Sequence, residues 1–155
     1  MRKPLALLAA GALLLTGCQK TRNSYPSRAE AERSGAVQSG WVPAWIPAAA
    51  TAIEEAHDLG TGRQRLRLRL PGPEADALAT SLERLRVWDI CPSKGLPRVD
   101  GEWPKELEVA EPAWRLTYRR APGAQGSILA VAFEEGTGAV YAWTCPELRS
   151  SGGAP

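Results

Sequence analysis

The chain has 155 residues, with 19 Lys and Arg against 17 Asp and Glu, 44% hydrophobic residues and a single histidine. That length fits one domain with a modest core. So even a charge balance argues against a nucleic-acid partner, whose phosphates are bound by an excess of Lys and Arg.

The first element in chain order is a leader. Arg2 and Lys3 precede an uncharged, mostly apolar run from Leu5 to Leu15, which closes on Leu15-Thr16-Gly17-Cys18. A run this short cannot cross the roughly 30 Å hydrocarbon core as a helix, which takes about 20 residues. The pattern resembles the lipobox of bacterial lipoproteins, with residues 1–17 as a signal peptide removed ahead of a lipidated cysteine. The resemblance implies a mature protein that starts at Cys18, bearing a diacylglycerol and an amide-linked third chain. Two or more acyl chains hold stably where one is marginal. Gln19 stands where an Asp would retain such a protein in the inner membrane. The implied location is therefore the periplasmic face of an outer membrane. Without Arg2 and Lys3 the 19 basic side chains become 17, equal to the 17 acids.

Lipidation also settles the cysteine count. With Cys18 consumed, Cys91 and Cys145 remain as an even pair in an oxidising compartment, where a disulfide is expected. The spacing offers no Cys-x-x-Cys or neighbouring His for zinc. In the chain-entropy picture, closing such a loop is worth on the order of 4 kcal/mol.

Residues 18–26 are polar and read as a lipidated tether. A single domain over 27–149 follows, and 150–155 contain only Ser, Gly, Ala and Pro, the composition of a disordered tail. Ser27 and Glu30 form a capping box for a short helix, with Gly35 placed to stop it. Ala48 to His57 has two readings. Its Ala and Glu favour a helix, but it also suits an extended segment that pairs with the next strand through the turn His57–Gly62. Arg63 to Leu70 alternates strictly, with Leu66, Leu68 and Leu70 on one face and Arg65, Arg67 and Arg69 on the other, a half-buried antiparallel strand. Pro73 suits the first turn of a helix over 73–86 whose stripe is Ala75, Leu78, Leu82 and Leu85. Cys91 to Glu111 is proline-rich without periodicity, and loops that long are usually functional or disordered. Trp114–Arg119, Ser127–Phe133 and Ala139–Cys145 read as strands, the last two joined as a hairpin across Glu134–Gly138. The economical assembly is an α+β fold: a small antiparallel β-sheet packed by one main helix and stapled by one disulfide.

Gly40-Trp-Val-Pro-Ala-Trp-Ile-Pro47, followed by Ile53, Glu55, His57 and Asp58, carries a second resemblance. It is similar to small bacterial proteins and lipoproteins with the motif GW-φ-P-x-φ-φ-P-x-x-A-x-x-I-x-E-x-H-D, where φ is apolar, identified as the YbbD head domain. The likeness covers roughly residues 25–70 and implies no activity. Relatives commonly continue the turn as Asp-Leu-Asp-Thr-Asn. Here Gly60 and Gly62 replace the second Asp and the Asn, which weakens any cation role for the turn.

Three groups of residues invite a functional reading. Glu55, His57 and Asp58 are weak candidates for a metal corner, set against a polar turn in which Asp58 bonds local backbone. Trp41 and Trp45 could stack on glycan rings or sit at a membrane interface, or simply plug the open sheet face. Arg65, Arg67 and Arg69 form a basic ridge suited to an envelope protein, cell-wall carboxylates or lipopolysaccharide phosphates. The plainer alternative is a wet strand face offset by cross-strand acids such as Glu134 and Glu135. No nucleophile elbow or phosphate loop occurs, and no cofactor is implied. The sequence thus favours a non-enzymatic, lipid-anchored binding or accessory protein. A periplasmic inhibitor or immunity-type protein is the alternative, and a metal-assisted hydrolase the third.

Overall fold

The computed structural model describes residues 20–86, 89–109 and 113–146. The expected signal peptide 1–17, Cys18 and the tail 150–155 lie outside the described residues. The strands are β1 (Lys20–Ser27), β2 (Thr51–Asp58), β3 (Arg63–Arg69), β4 (Glu83–Arg84), β5 (Leu116–Pro122), β6 (Ile128–Glu134) and β7 (Ala139–Thr144). The helices are α1 (Arg28–Arg33), α2 (Gly72–Ser81) and the single turn α3 (Glu106–Val109). All strands join one antiparallel sheet in the order β1-β2-β3-β7-β6-β5-β4.

The stretch expected as a tether is therefore structural from Lys20 onward. Its alternation is polar on both sides: Thr21, Asn23 and Tyr25 are half-buried, while Lys20, Arg22 and Ser24 are exposed. An edge strand with one wet face needs no apolar run, which is why the segment reads as a linker. Ser27 then caps α1 by accepting from the Glu30 amide at 3.3 Å. Gly35, with φ of +82°, turns the chain away after the helix. Of the two readings of residues 48–57, the extended one holds from Thr51. A bulge between Thr51 and Glu54, with Ala52 at φ +47°, breaks the period that would mark a strand. Helix α2 ends at Ser81, so Ala75 and Leu78 enter the core below it while Leu85 crosses to the other face of the sheet.

Both faces of the sheet are covered. On the first, Leu66, Leu68, Leu70, Leu129, Val131 and Val140 pack beneath α1, the Val42–Ala50 loop and α2. On the second, Ala130, Ala132, Tyr141 and Trp143 pack beneath Leu85, Ile90, Leu96 and Leu107 of the segment leading through α3. The expected sheet and disulfide are present, with Cys91 bonded to Cys145 across 54 positions. What the one-helix picture lacked is this second cover. The architecture is mostly sheet, with helices as minor parts of two loop-rich layers.

Candidate functional site

The Gly40–Asp58 segment builds a buried polar cluster on the first face. Glu55 and His57 alternate along β2 with Ile53, so all three point into the core. His57 Nδ1 and Glu55 Oε1 are 2.5 Å apart. Asn23, opposite Glu55 on β1, donates to the other carboxylate oxygen at 2.9 Å. Gly40 adopts φ of +80°, and the following Trp41 lies flat on the imidazole, with ring centroids 3.8 Å apart and planes 6° from parallel. The stack seals the pair: Glu55 is 1% exposed, His57 5% and Trp41 9%. Gln64, opposite His57 on β3 and fully buried, has neither amide atom hydrogen-bonded to any described residue.

Burial dominates the titration of Glu55 and pushes its carboxyl above the ordinary value of 4.5, against the lowering effects of Asn23 and His57. The folded state then holds that proton more tightly than the unfolded chain. The Glu55 contribution to stability is full below about pH 4.5 and is lost as pH rises through the folded value. Glu55→Gln keeps an acceptor for Asn23 and cannot ionise. We expect the stability of wild type relative to this variant to fall with rising pH from that point, with a limiting slope of about 1.4 kcal/mol per pH unit. Urea unfolding of both proteins across the acid range tests this. Parallel pH profiles would contradict it.

Asp58 does not join the pair. It follows His57 and so faces the other way, and its Oδ1 accepts from the Gly60 and Thr61 amides at 2.9 and 3.2 Å, closing the turn. The proposed corner of Glu55, His57 and Asp58 is thus not assembled. Among the described residues, no three His, Cys, Asp or Glu side chains are placed to hold a metal ion.

The basic ridge is corrected more sharply. Arg65 is 2% exposed, because the chain after Cys91 folds over it. Its guanidinium donates to the Ser93 carbonyl, to Ser93 Oγ at 3.2 Å and to Glu108 at 3.0 Å, and lies 4.8 Å from the Trp103 ring centroid. Trp103 in turn donates to Ser93 Oγ at 3.0 Å. Arg67 pairs with Glu54 at 3.3 Å. Gly101, at φ +85°, passes over that pair so closely that a Cβ there would meet Glu54 Oε2 at 2.7 Å. Arg69 is exposed and reaches the Thr137 carbonyl. Of the expected offsetting acids, Glu134 pairs instead with Arg115. Alternation correctly separated the two faces of β3, but it carries no information about what covers the second.

Trp41 and Trp45 plug the first face, the plainer of their two readings. Trp45 is only part-buried, and its indole N–H donates to the Pro122 carbonyl at 2.7 Å, tying the motif loop to β5.

The open features lie elsewhere, at the end of the sheet marked by Ser27, Arg69, Ala139 and Leu116. A cleft of about 460 Å³ there is lined by Glu102, Trp103, Lys105, Glu106, Arg115, Glu134 and Tyr141. Arg115 bridges Glu106 and Glu134, and Tyr141 donates to Glu134 at 3.3 Å. A second cavity of about 680 Å³ lies between α2 and the β6–β7 turn. Trp114, beside Arg115, is 91% exposed, and Val109 is 57% exposed. Sequence reading missed Asn23, Gln64, Trp103 and Trp114. The Asn23 signal was the alternation of Thr21, Asn23 and Tyr25. Exposure of a lone tryptophan leaves no sequence signal.

Residues 20–69 match the YbbD head domain. The matched segment runs from the first residue of β1 to the last of β3 and contains Asn23, Trp41, Glu55, His57 and Gln64. The whole buried cluster therefore lies within the matched segment, whereas the disulfide-linked second cover and β4–β7 lie beyond it. No curated protein and no solved structure matches the chain.

Proposed function

We propose that the protein is a lipid-anchored component of the bacterial cell envelope, held through Cys18 at the periplasmic face of the outer membrane, with a non-enzymatic binding or accessory role. One observation supports this reading: β1 begins at one end of the sheet, and the open features gather at the other. Lys20, two residues after Cys18, pairs with Asp58, which pairs with Arg63, and this row defines one end. The row of Ser27, Thr51, Arg69 and Ala139 defines the other, seven residues or about 23 Å along β1. The two cavities, Trp114 and the Arg115 charge bridge gather at this far end, where a partner in the periplasm reaches them.

The sealed Glu55–His57 pair supports a binding role over a hydrolytic one. The chain's single histidine is buried and stacked under Trp41. A disulfide-bonded body also suits an oxidising compartment. The alternative of a periplasmic inhibitor or immunity-type protein draws support from the bracing of residues 91–109. A recognition loop pinned by Cys145 and by Arg65 loses little entropy on binding.

The anchor is tested by metabolic labelling with palmitate. Wild type incorporates label and Cys18→Ser loses all of it, remaining as an uncleaved precursor. Equal labelling of the two would contradict the reading. An envelope pull-down with the intact lipoprotein then separates the roles, since an enzymatic partner whose activity falls on binding identifies an inhibitor.

A further inference from the structure

Resting on the lipid anchor, we infer that the rim formed by Lys20 and the β2–β3 turn docks on an anionic bilayer surface and sets the orientation of the domain. The first argument is chain length. Two residue steps from Cys18 to Lys20 span at most about 7 Å, so an acylated Cys18 leaves the start of β1 beside the headgroups. The second is placement. Lys20 is paired with Asp58, and the turn Leu59–Gly62 leads directly from that residue into β3. Adjacent strands lie roughly 4.8 Å apart, so this turn cannot be far from the membrane when Lys20 touches it.

The third argument is chemistry. Leu59 is 48% exposed at the tip of the turn, among the few large apolar side chains left open in the described residues. It is flanked by exposed Lys20 and Arg63. Asp58, the one carboxylate of the turn, is buried and occupied by the Gly60 and Thr61 amides. The neighbouring turn at Gly123–Ser127 carries no charge, and Gln125 lies against Gly62. An apolar tip between two cations matches a headgroup layer, with the leucine entering the interface and the cations meeting lipid phosphates. Docking by this rim stands the strands away from the membrane and presents the Trp114 end to the periplasm.

The test uses the full lipidated protein in phosphatidylethanolamine–phosphatidylglycerol vesicles containing acyl-chain spin-labelled lipid. An environment-sensitive fluorophore is attached at Leu59→Cys or, as the far-end control, at Glu135→Cys. Both proteins are expected to sediment with the vesicles. The probe at 59 should shift to the blue and be quenched severalfold more than the probe at 135. Adding Lys20→Glu and Arg63→Glu should remove most of that difference without releasing the protein. Sedimentation with equal quenching at the two positions would overturn the docking while leaving the anchor intact. Failure of the protein to sediment would remove both.

Discussion

Replacing Trp41 by Ala lowers the unfolding free energy by about 3–5 kcal/mol, the usual range for deleting a large buried aromatic. The indole does more than fill space. It is the lid on the Glu55–His57 pair, whose ring it contacts face to face at 3.8 Å. Its removal admits water to a carboxylate that is otherwise 1% exposed. Two consequences separate this from simple cavity formation. Trp41→Phe, which keeps a ring over His57, loses clearly less stability than Trp41→Ala. The acid-range pH dependence assigned to Glu55 also shrinks in Trp41→Ala, because rehydration returns the carboxyl toward its ordinary value. Chemical unfolding of the three proteins at two pH values measures both effects. A loss below about 1 kcal/mol for Trp41→Ala would contradict the placement of this residue, since changes that small are typical of surface sites.

Removing the disulfide has an effect of similar size on the opposite face. The double change Cys91→Ala and Cys145→Ala is expected to cost about 2–5 kcal/mol, mainly because the unfolded chain regains the freedom of a long loop. The bond also fixes the start of the second cover at the end of β7. Next to it, the Trp143 indole donates to the Cys91 carbonyl at 3.0 Å, and further along Arg65 grips Ser93 and Glu108. The loss should therefore be uneven. Amide exchange is expected to accelerate most over residues 91–109 and β7, and least in strands β1 and β2. Reductant should bring wild type down to the level of the variant. Two alkylatable thiols in the native protein, with stability unchanged by reductant, would contradict the bond.

These two sites show how far the sequence could be read. The Leu66-Leu68-Leu70 alternation identified a core strand, because a period of two survives wherever one face is apolar. The same alternation misassigned Arg65. A buried guanidinium satisfied by Ser93, Glu108 and Trp103 has the same sequence pattern as a solvated one, and its partners come from an aperiodic segment 28 to 43 residues away. The first strand escaped notice because its half-buried face is Thr21, Asn23 and Tyr25, whose hydrophobicity is too low to mark a pleat. The bulge at Ala52 hid the phase of β2, so Glu55 and His57 were legible as neighbours but not as inward-facing ones. The motif tryptophans were legible as core anchors, since a sheet whose main helix has only ten residues needs large side chains to close it.

We propose that Cys18, two residues ahead of β1, holds this domain to a membrane. The most direct measurement is the intact mass and N-terminal peptide of the protein extracted with detergent from envelope membranes. The expected product is a chain that begins at Cys18, with residues 1–17 absent and the cysteine carrying a diacylglycerol and a further acyl chain. A chain that still begins at Met1, or a mature chain whose Cys18 is a free thiol, would contradict it.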